Sequence, residues 1–184
     1  MKKNVLVFGI ISGVVVSTFM AVSMVRSSKS GHTDMTGSMV VGFASMAVAF
    51  SFIFIGIKNY RDKQNEGVVT FGKAFLLGIL ISFVASTLYV LTWAIEFHFF
   101  LPDFMQKFEV AQVKEIQQSK MPMKEMEAAL LEVATNTKRY EESPIYFAII
   151  TYSEIFPLGV LISLISAFIL RRKTKKNNLE IINQ

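Results

Sequence analysis

The uncharged stretch AFLLGILISFVASTLYVLTWAI, residues 74–95, decides what kind of fold this chain adopts. At about 1.5 Å rise per residue, an α-helix of this length crosses a hydrocarbon core of roughly 30 Å. Three further stretches, residues 5–25, 36–57 and 145–170, carry almost no charge. The sequence therefore predicts an all-α membrane protein with four transmembrane helices in an antiparallel bundle, the third of them over residues 72–97.

The composition of the chain agrees with this fold class and excludes several kinds of chemistry. With 184 residues, 52% of them hydrophobic, the chain is too apolar for a typical soluble domain. The absence of cysteine excludes disulfides, thiolate metal sites and cysteine nucleophiles. The HExxH and GxSxG patterns of metalloproteases and serine hydrolases are also missing. We therefore predict one membrane domain over residues 1–184, which is not an enzyme and needs no metal or cofactor.

The first apolar stretch has an alternative interpretation, because two lysines followed by an apolar run also begin a secretory signal. A signal core is typically about 7 to 15 residues long. Residues 5–25 exceed that length without a charge, which favours an uncleaved membrane span.

The distribution of Lys and Arg predicts the orientation. Basic residues concentrate at the N-terminus, in the connection over residues 58–73 and in the tail RRKTKK, residues 171–176. Positive charge in short flanks stays on the cytoplasmic side. We expect a multi-pass protein of the bacterial cytoplasmic (inner) membrane, with both termini in the cytoplasm. Nucleic-acid binding is not expected, because the basic excess belongs to these membrane flanks.

The long connection over residues 102–144 contains a helical pattern. Apolar residues recur at helical spacing from Met123 to Ala134, and charged residues occupy the opposite face. A weaker pattern covers residues 104–116. These patterns predict an external amphipathic helical hairpin between transmembrane helices 3 and 4. It either packs on itself or docks a partner.

Small residues recur within the predicted spans and indicate where helices approach each other. Without a hydrophobic driving force between helices in lipid, small side chains allow close backbone contact and dispersion gains. Pro157 removes one helical hydrogen bond and bends the last span. The predicted helix-packing positions are Gly9, Gly13, Gly42, Gly78, Ser82, Pro157, Gly159 and Ser163.

Two carboxylates interrupt the apolar spans, and acids within spans are candidates for function. By helical periodicity, Glu96 shares the face of the third span that carries Gly78, so we expect it to point into the bundle. Glu154 lies about 140° to 180° from Gly159 and Ser163 around its own helix, and we expect another helix to shelter it. The candidate intramembrane polar site comprises Glu96, Glu154, Tyr89, Thr92 and Trp93.

This site has two interpretations. The carboxylates could share a proton or bind a cation in low dielectric. Alternatively, Glu154 accepts hydrogen bonds from side chains such as Tyr89, Thr92 and Trp93, and these bonds fix the helix register.

The stretches YRDK, residues 60–63, TFGKAFLLGILIS, residues 70–82, and EIFPLGVLISLISAFILRRK, residues 154–173, resemble the bacterial integral-membrane family called domain of unknown function 4199. The resemblance covers nearly the whole chain. It implies a small helical membrane protein without an assigned biochemical role. Residues that match the signature of that family are Tyr60, Arg61, Asp62, Gly72, Lys73, Glu154, Pro157 and Gly159.

Two functional hypotheses follow. The first is a non-enzymatic integral membrane protein, embedded in the lipid bilayer, that assembles with itself or with a membrane partner. The second is a small proton- or cation-coupled transporter or channel component that uses Glu96 and Glu154. Four spans are few for an alternating-access transporter, and no inverted repeat is visible, which favours the first hypothesis.

Overall fold

The computed structural model describes the backbone of residues 1–30 and 35–172, and the side chains of residues 1–23 and 44–172. The predicted packing position Gly42 and the tail from residue 173 onward lie outside the described side chains. The described part of the chain is all-helical, as predicted. Its helices are α1 (Lys2–Ser30), α2 (Met35–Gln64), α3 (Phe71–Phe99), α4 (Phe104–Gln118), α5 (Met123–Glu142) and α6 (Pro144–Leu170).

Three helices, α1, α3 and α6, are long and apolar enough to cross a membrane. Their apolar residues are not confined to one face, as expected for helices surrounded by lipid and by one another. In α2, the side chains before residue 44 lie outside the described part. The span predicted over residues 36–57 therefore stays a prediction.

The chain divides into two compact units. We call residues 1–88, together with the chain from Ile155 onward, the small-residue unit. We call Tyr89–Glu154 the aromatic unit. The aromatic unit contains the end of α3, the helices α4 and α5, which pack on each other, and the start of α6.

Glycines in the small-residue unit lie where α3 meets other helices. A Cβ placed on Gly9 of α1 would lie 2.7 Å from Val84 Cβ, and one on Gly13 would lie 2.8 Å from Leu88 Cβ. These distances leave no room for a side chain, so the glycines permit the contact between α1 and α3.

The contact between α3 and α6 is equally close. A Cβ on Gly78 would lie 2.7 Å from Ser163 Cβ, and a Cβ on Gly159 would lie 2.8 Å from Ser82 Cβ. The Ser163 hydroxyl donates to the Gly159 carbonyl at 2.7 Å, so Ser82 must be the donor in its 3.3 Å hydrogen bond to Ser163. Pro157 lies inside α6, on its exposed side.

Two side chains of α1 bind the backbone of α2. Ser12 Oγ donates to the Ala49 carbonyl at 2.8 Å, and Asn4 Nδ2 donates to the Gly56 carbonyl at 3.0 Å. Both side chains are buried. Because each satisfies a polar group away from water, these hydrogen bonds fix the register between α1 and α2.

Candidate functional site

The predicted polar site falls within the aromatic unit, but its five residues are in different environments. Tyr89 is buried, and its phenol lies within electrostatic range of Glu96 and Glu154. Glu96 is half-buried, and its Oε2 is fully buried without a hydrogen-bond partner among the described residues. Thr92 is half-buried. An unpaired buried carboxylate oxygen is rare in proteins and requires a structural or functional explanation.

The side chain of Glu154 is exposed, and the expectation that another helix shelters it stays a prediction. The helical period of α6 explains its separation from the face that contacts α3. Gly159 and Ser163 face α3, and Glu154 lies about 140° to 180° away from them around the axis. The close-packed face and the acid therefore cannot both point at the same neighbour.

Trp93 binds a residue that the sequence did not single out. Its indole Nε1 donates to Tyr140 Oη of α5 at 2.8 Å, rather than to Glu154. Tyr140 Oη lies 3.1 Å from Thr151 Oγ1, which itself donates to the Phe147 carbonyl at 2.8 Å. Because the single hydroxyl proton of Thr151 is used there, Tyr140 must donate to Thr151. The hydrogen bonds form one directed chain from α3 through α5 to α6.

Aromatic rings surround this chain. The ring centroids of Tyr140 and Phe147 lie 4.8 Å apart, and those of Trp93 and Phe104 lie 5.1 Å apart in an edge-to-face arrangement. Such pairs are worth about 0.5 to 1.5 kcal/mol beyond their buried area. The aromatic cluster comprises Trp93, Phe97, Phe104, Tyr140 and Phe147.

The environment of Tyr140 keeps its hydroxyl protonated. Burial raises the pKa of the Tyr140 phenol, and the hydrogen bonds with Thr151 and Trp93 oppose that rise. The negative charge of Glu154 adds to the rise. The phenol is therefore neutral at physiological pH and keeps the proton that it donates to Thr151.

The residues of the YRDK stretch form a second cluster, in the small-residue unit. Arg61 is buried and pairs with Asp62 through Nε to Oδ1 at 2.6 Å and Nη2 to Oδ2 at 3.1 Å. This pairing raises the pKa of the Arg61 guanidinium and lowers the pKa of the Asp62 carboxyl. Arg61 Nη1 also donates to the Leu170 carbonyl, at the end of α6, at 3.4 Å. A cation there satisfies an orphan carbonyl and complements the helix dipole.

The loop between α2 and α3 completes this cluster. The amides and carbonyls of Val69 and Arg172 pair reciprocally, at 3.2 Å and 2.9 Å. Tyr60 is half-buried. A Cβ placed on Gly72 would have no neighbouring atom within 4 Å. Lys73 is exposed, and its backbone amide donates to Thr70 Oγ1. In this unit, Arg61 ties the end of α2 to the end of α6, and Asp62 holds the Arg61 guanidinium.

The sequence interpretation missed several residues that carry side-chain contacts. Tyr140 and Thr151 form the hydrogen-bond chain of the aromatic unit, and Asn4 and Gln64 join α1 to α2 through an amide pair at 2.7 Å. A weak signal existed for Asn4, a polar residue at the edge of an apolar run, and for Thr151, a polar residue within the last apolar run. Nothing in the local pattern of α5 distinguishes Tyr140.

Comparison with known proteins identifies a family. A family described as "Protein of unknown function (DUF4199)" matches residues 7–172. No curated protein and no solved structure matches the chain. The matched range includes both acids, the aromatic cluster and the Arg61 cluster, so all of these features lie within the family region.

Proposed function

The chain belongs to the DUF4199 family, and from that premise we propose that it is a non-enzymatic membrane protein that assembles with a second copy of itself or with another membrane protein. We propose that it forms an antiparallel bundle of four spans, in which α2 joins α1, α3 and α6. The hydrogen bonds between α1 and α2 support an antiparallel arrangement of these two helices. Asn4 pairs with Gly56 and Ser12 pairs with Ala49, so the residue number rises along one helix as it falls along the other.

We place the protein in the bacterial inner membrane with both termini in the cytoplasm. The support is the position of basic residues at the N-terminus, in the loop after α2 and beyond α6.

The observation that carries the assembly proposal is the exposure of Glu154 on α6. A charged side chain in a span costs about 2.5 to 3.5 kcal/mol at the bilayer centre and less toward the interface. Ile145 and Ile149 on this part of α6 are exposed and apolar, and the exposed Ser153 hydroxyl donates to the Ile150 carbonyl of its own helix. A partner that covers Glu154 with a hydrogen-bond donor would remove the cost.

Native mass spectrometry in several mild detergents tests the assembly. We expect the wild type to form an oligomer or to co-purify with a membrane protein, and Glu154→Leu to lower that assembled fraction. Glu132→Gln is the matched control, because Glu132 is an exposed acid of α5 outside the spans. A monomer in every detergent, without a co-purifying chain, would contradict the proposal.

A second candidate function is proton or cation transport. It is favoured by the unpaired, buried Glu96 Oε2 and by the proximity of the Tyr89 phenol to both acids. The described residues contain no group of three or more His, Cys, Asp or Glu that could hold a metal ion. Proton or cation flux into liposomes that contain the protein tests this function. If the protein is a transporter, Glu96→Gln and Glu154→Gln should each abolish the flux of the wild type. Unchanged flux in both variants would exclude these acids from a transport mechanism.

A further inference from the structure

A groove of about 270 Å³ lies between the first turns of α1 and the last turns of α2, in the small-residue unit. Its polar lining consists of two lysines and three amides. These are Lys3, Asn4, Asn59, Lys63 and Gln64. No acidic side chain is among the residues that line it. Two ammonium groups beside one groove repel each other, and an anion between them would convert that repulsion into attraction.

The amides at the groove differ in how well they are satisfied. Asn4 uses both ends of its amide, donating to the Gly56 carbonyl at 3.0 Å and accepting from Gln64 Nε2 at 2.7 Å. Asn59 Oδ1, by contrast, is buried and has no hydrogen-bond partner among the described residues. A buried acceptor without a donor is unfavourable. Because Asn59 Oδ1 is buried, a ligand in the groove contacts the exposed Lys3 and Lys63 instead.

The remaining lining residues are apolar. Val7 is exposed at 43%, and Phe8 is half-buried. Lys3, Val7 and Phe8 all belong to α1, which is long and apolar enough to cross a membrane. The groove thus joins cationic and amide groups near the start of a span to apolar surface further along it. Basic pockets between membrane helices are known sites for phospholipid headgroups.

We propose that this groove binds the phosphate headgroup of an anionic phospholipid, such as phosphatidylglycerol. The phosphate oxygens accept from the ammonium groups of Lys3 and Lys63. Val7 and Phe8 lie against the glycerol and acyl part of the lipid. The volume lies just below the range of about 300 to 1,000 Å³ for drug-sized ligands, which suits a headgroup.

Soluble glycerol phosphate has the same phosphate chemistry, so the experiment separates the two sources. The full chain, purified in mild detergent, is titrated with phosphatidylglycerol, phosphatidylcholine or glycerol 3-phosphate and followed by native mass spectrometry. We expect retention of phosphatidylglycerol over phosphatidylcholine, with no displacement by millimolar glycerol 3-phosphate.

The double variant Lys3→Gln/Lys63→Gln should lower phosphatidylglycerol affinity by about 25-fold, since each basic residue near a lipid surface contributes about a factor of five. The matched control is Lys2→Gln/Lys58→Gln, which removes two exposed charges from the same ends of α1 and α2 without altering the groove lining. It should change the affinity by about twofold or less. Circular dichroism checks that both variants retain their helical content.

Three results would overturn the proposal: an equal loss in the control double variant, equal retention of phosphatidylcholine, or full competition by glycerol 3-phosphate.

Discussion

The two units of this chain hold their helices together in opposite ways. The small-residue unit brings backbones into contact at Gly9, Gly78 and Gly159. The aromatic unit instead fills the space between helices with large rings, from Trp93 to Phe147, around a chain of hydrogen bonds. The first method suits helices in lipid, where close packing replaces the hydrophobic effect. The second suits a unit with the amphipathic helices α4 and α5, because rings bury much apolar area per residue.

The largest expected effect comes from removing a ring at the centre of the aromatic unit. Phe147 is buried and contacts Phe97 and Tyr140. Phe147→Ala should destabilise this unit by about 3 kcal/mol, since it loses ring contacts and leaves a cavity. Thermal unfolding followed by Trp93 fluorescence is a direct readout, because Trp93 is the only tryptophan. Ile145→Ala, at a 74% exposed position, is the control and should change stability by about 0.5 kcal/mol or less.

Adding a methyl group at a close-packed glycine should destabilise the small-residue unit. In Gly78→Ala the added Cβ meets Ser163 Cβ at 2.7 Å, so α3 and α6 must separate. We expect a loss of about 1 to 3 kcal/mol, measured by thermal unfolding in detergent. Gly72→Ala is the matched control on the same helix, where nothing lies within 4 Å, and it should be neutral or stabilise by up to about 1 kcal/mol. Equal effects of the two substitutions would refute the close-packing account.

The hydrogen-bond chain can be tested without removing a ring. Tyr140→Phe leaves the indole Nε1 of Trp93 without its acceptor, at an expected cost of about 1 to 2 kcal/mol and a change in Trp93 emission. Tyr146→Phe removes a hydroxyl that binds Asn136 instead, so it should leave the emission unchanged. An unaltered spectrum in Tyr140→Phe would show that the rings alone hold this unit.

The smallest effect concerns the pH dependence of the Arg61 cluster. Hydrogen bonding to Arg61 lowers the pKa of Asp62 in the folded state. The stabilisation is therefore present above the unfolded value near pH 4 and is lost as the pH falls through the lower folded pKa. The difference in unfolding temperature between wild type and Asp62→Asn should shrink below about pH 4. A constant difference from pH 7 to pH 3 would contradict this assignment.

How much of the site could be predicted depends on the range of the interactions involved. Helical periodicity correctly separated Glu154 from the face of Gly159 and Ser163, because azimuth on one helix is a local property. The same reasoning could not find the Trp93–Tyr140 bond, which joins residues 47 positions apart on different helices. Likewise, the sequence pattern indicates only that Lys3 and Lys63 flank membrane spans, whereas the tertiary structure brings them to one groove.

The sequence by itself determined that this chain is helical and apolar enough for a membrane, and that it belongs to its family. Those properties depend on the length of uncharged runs and on local motifs. Only the tertiary structure decided which side chains meet: that Gly78 lies against Ser163, that Trp93 binds Tyr140, and that Glu154 is left uncovered. The physical reason is that partners on different helices are set by interhelical packing, on which the spacing along one helix carries no information.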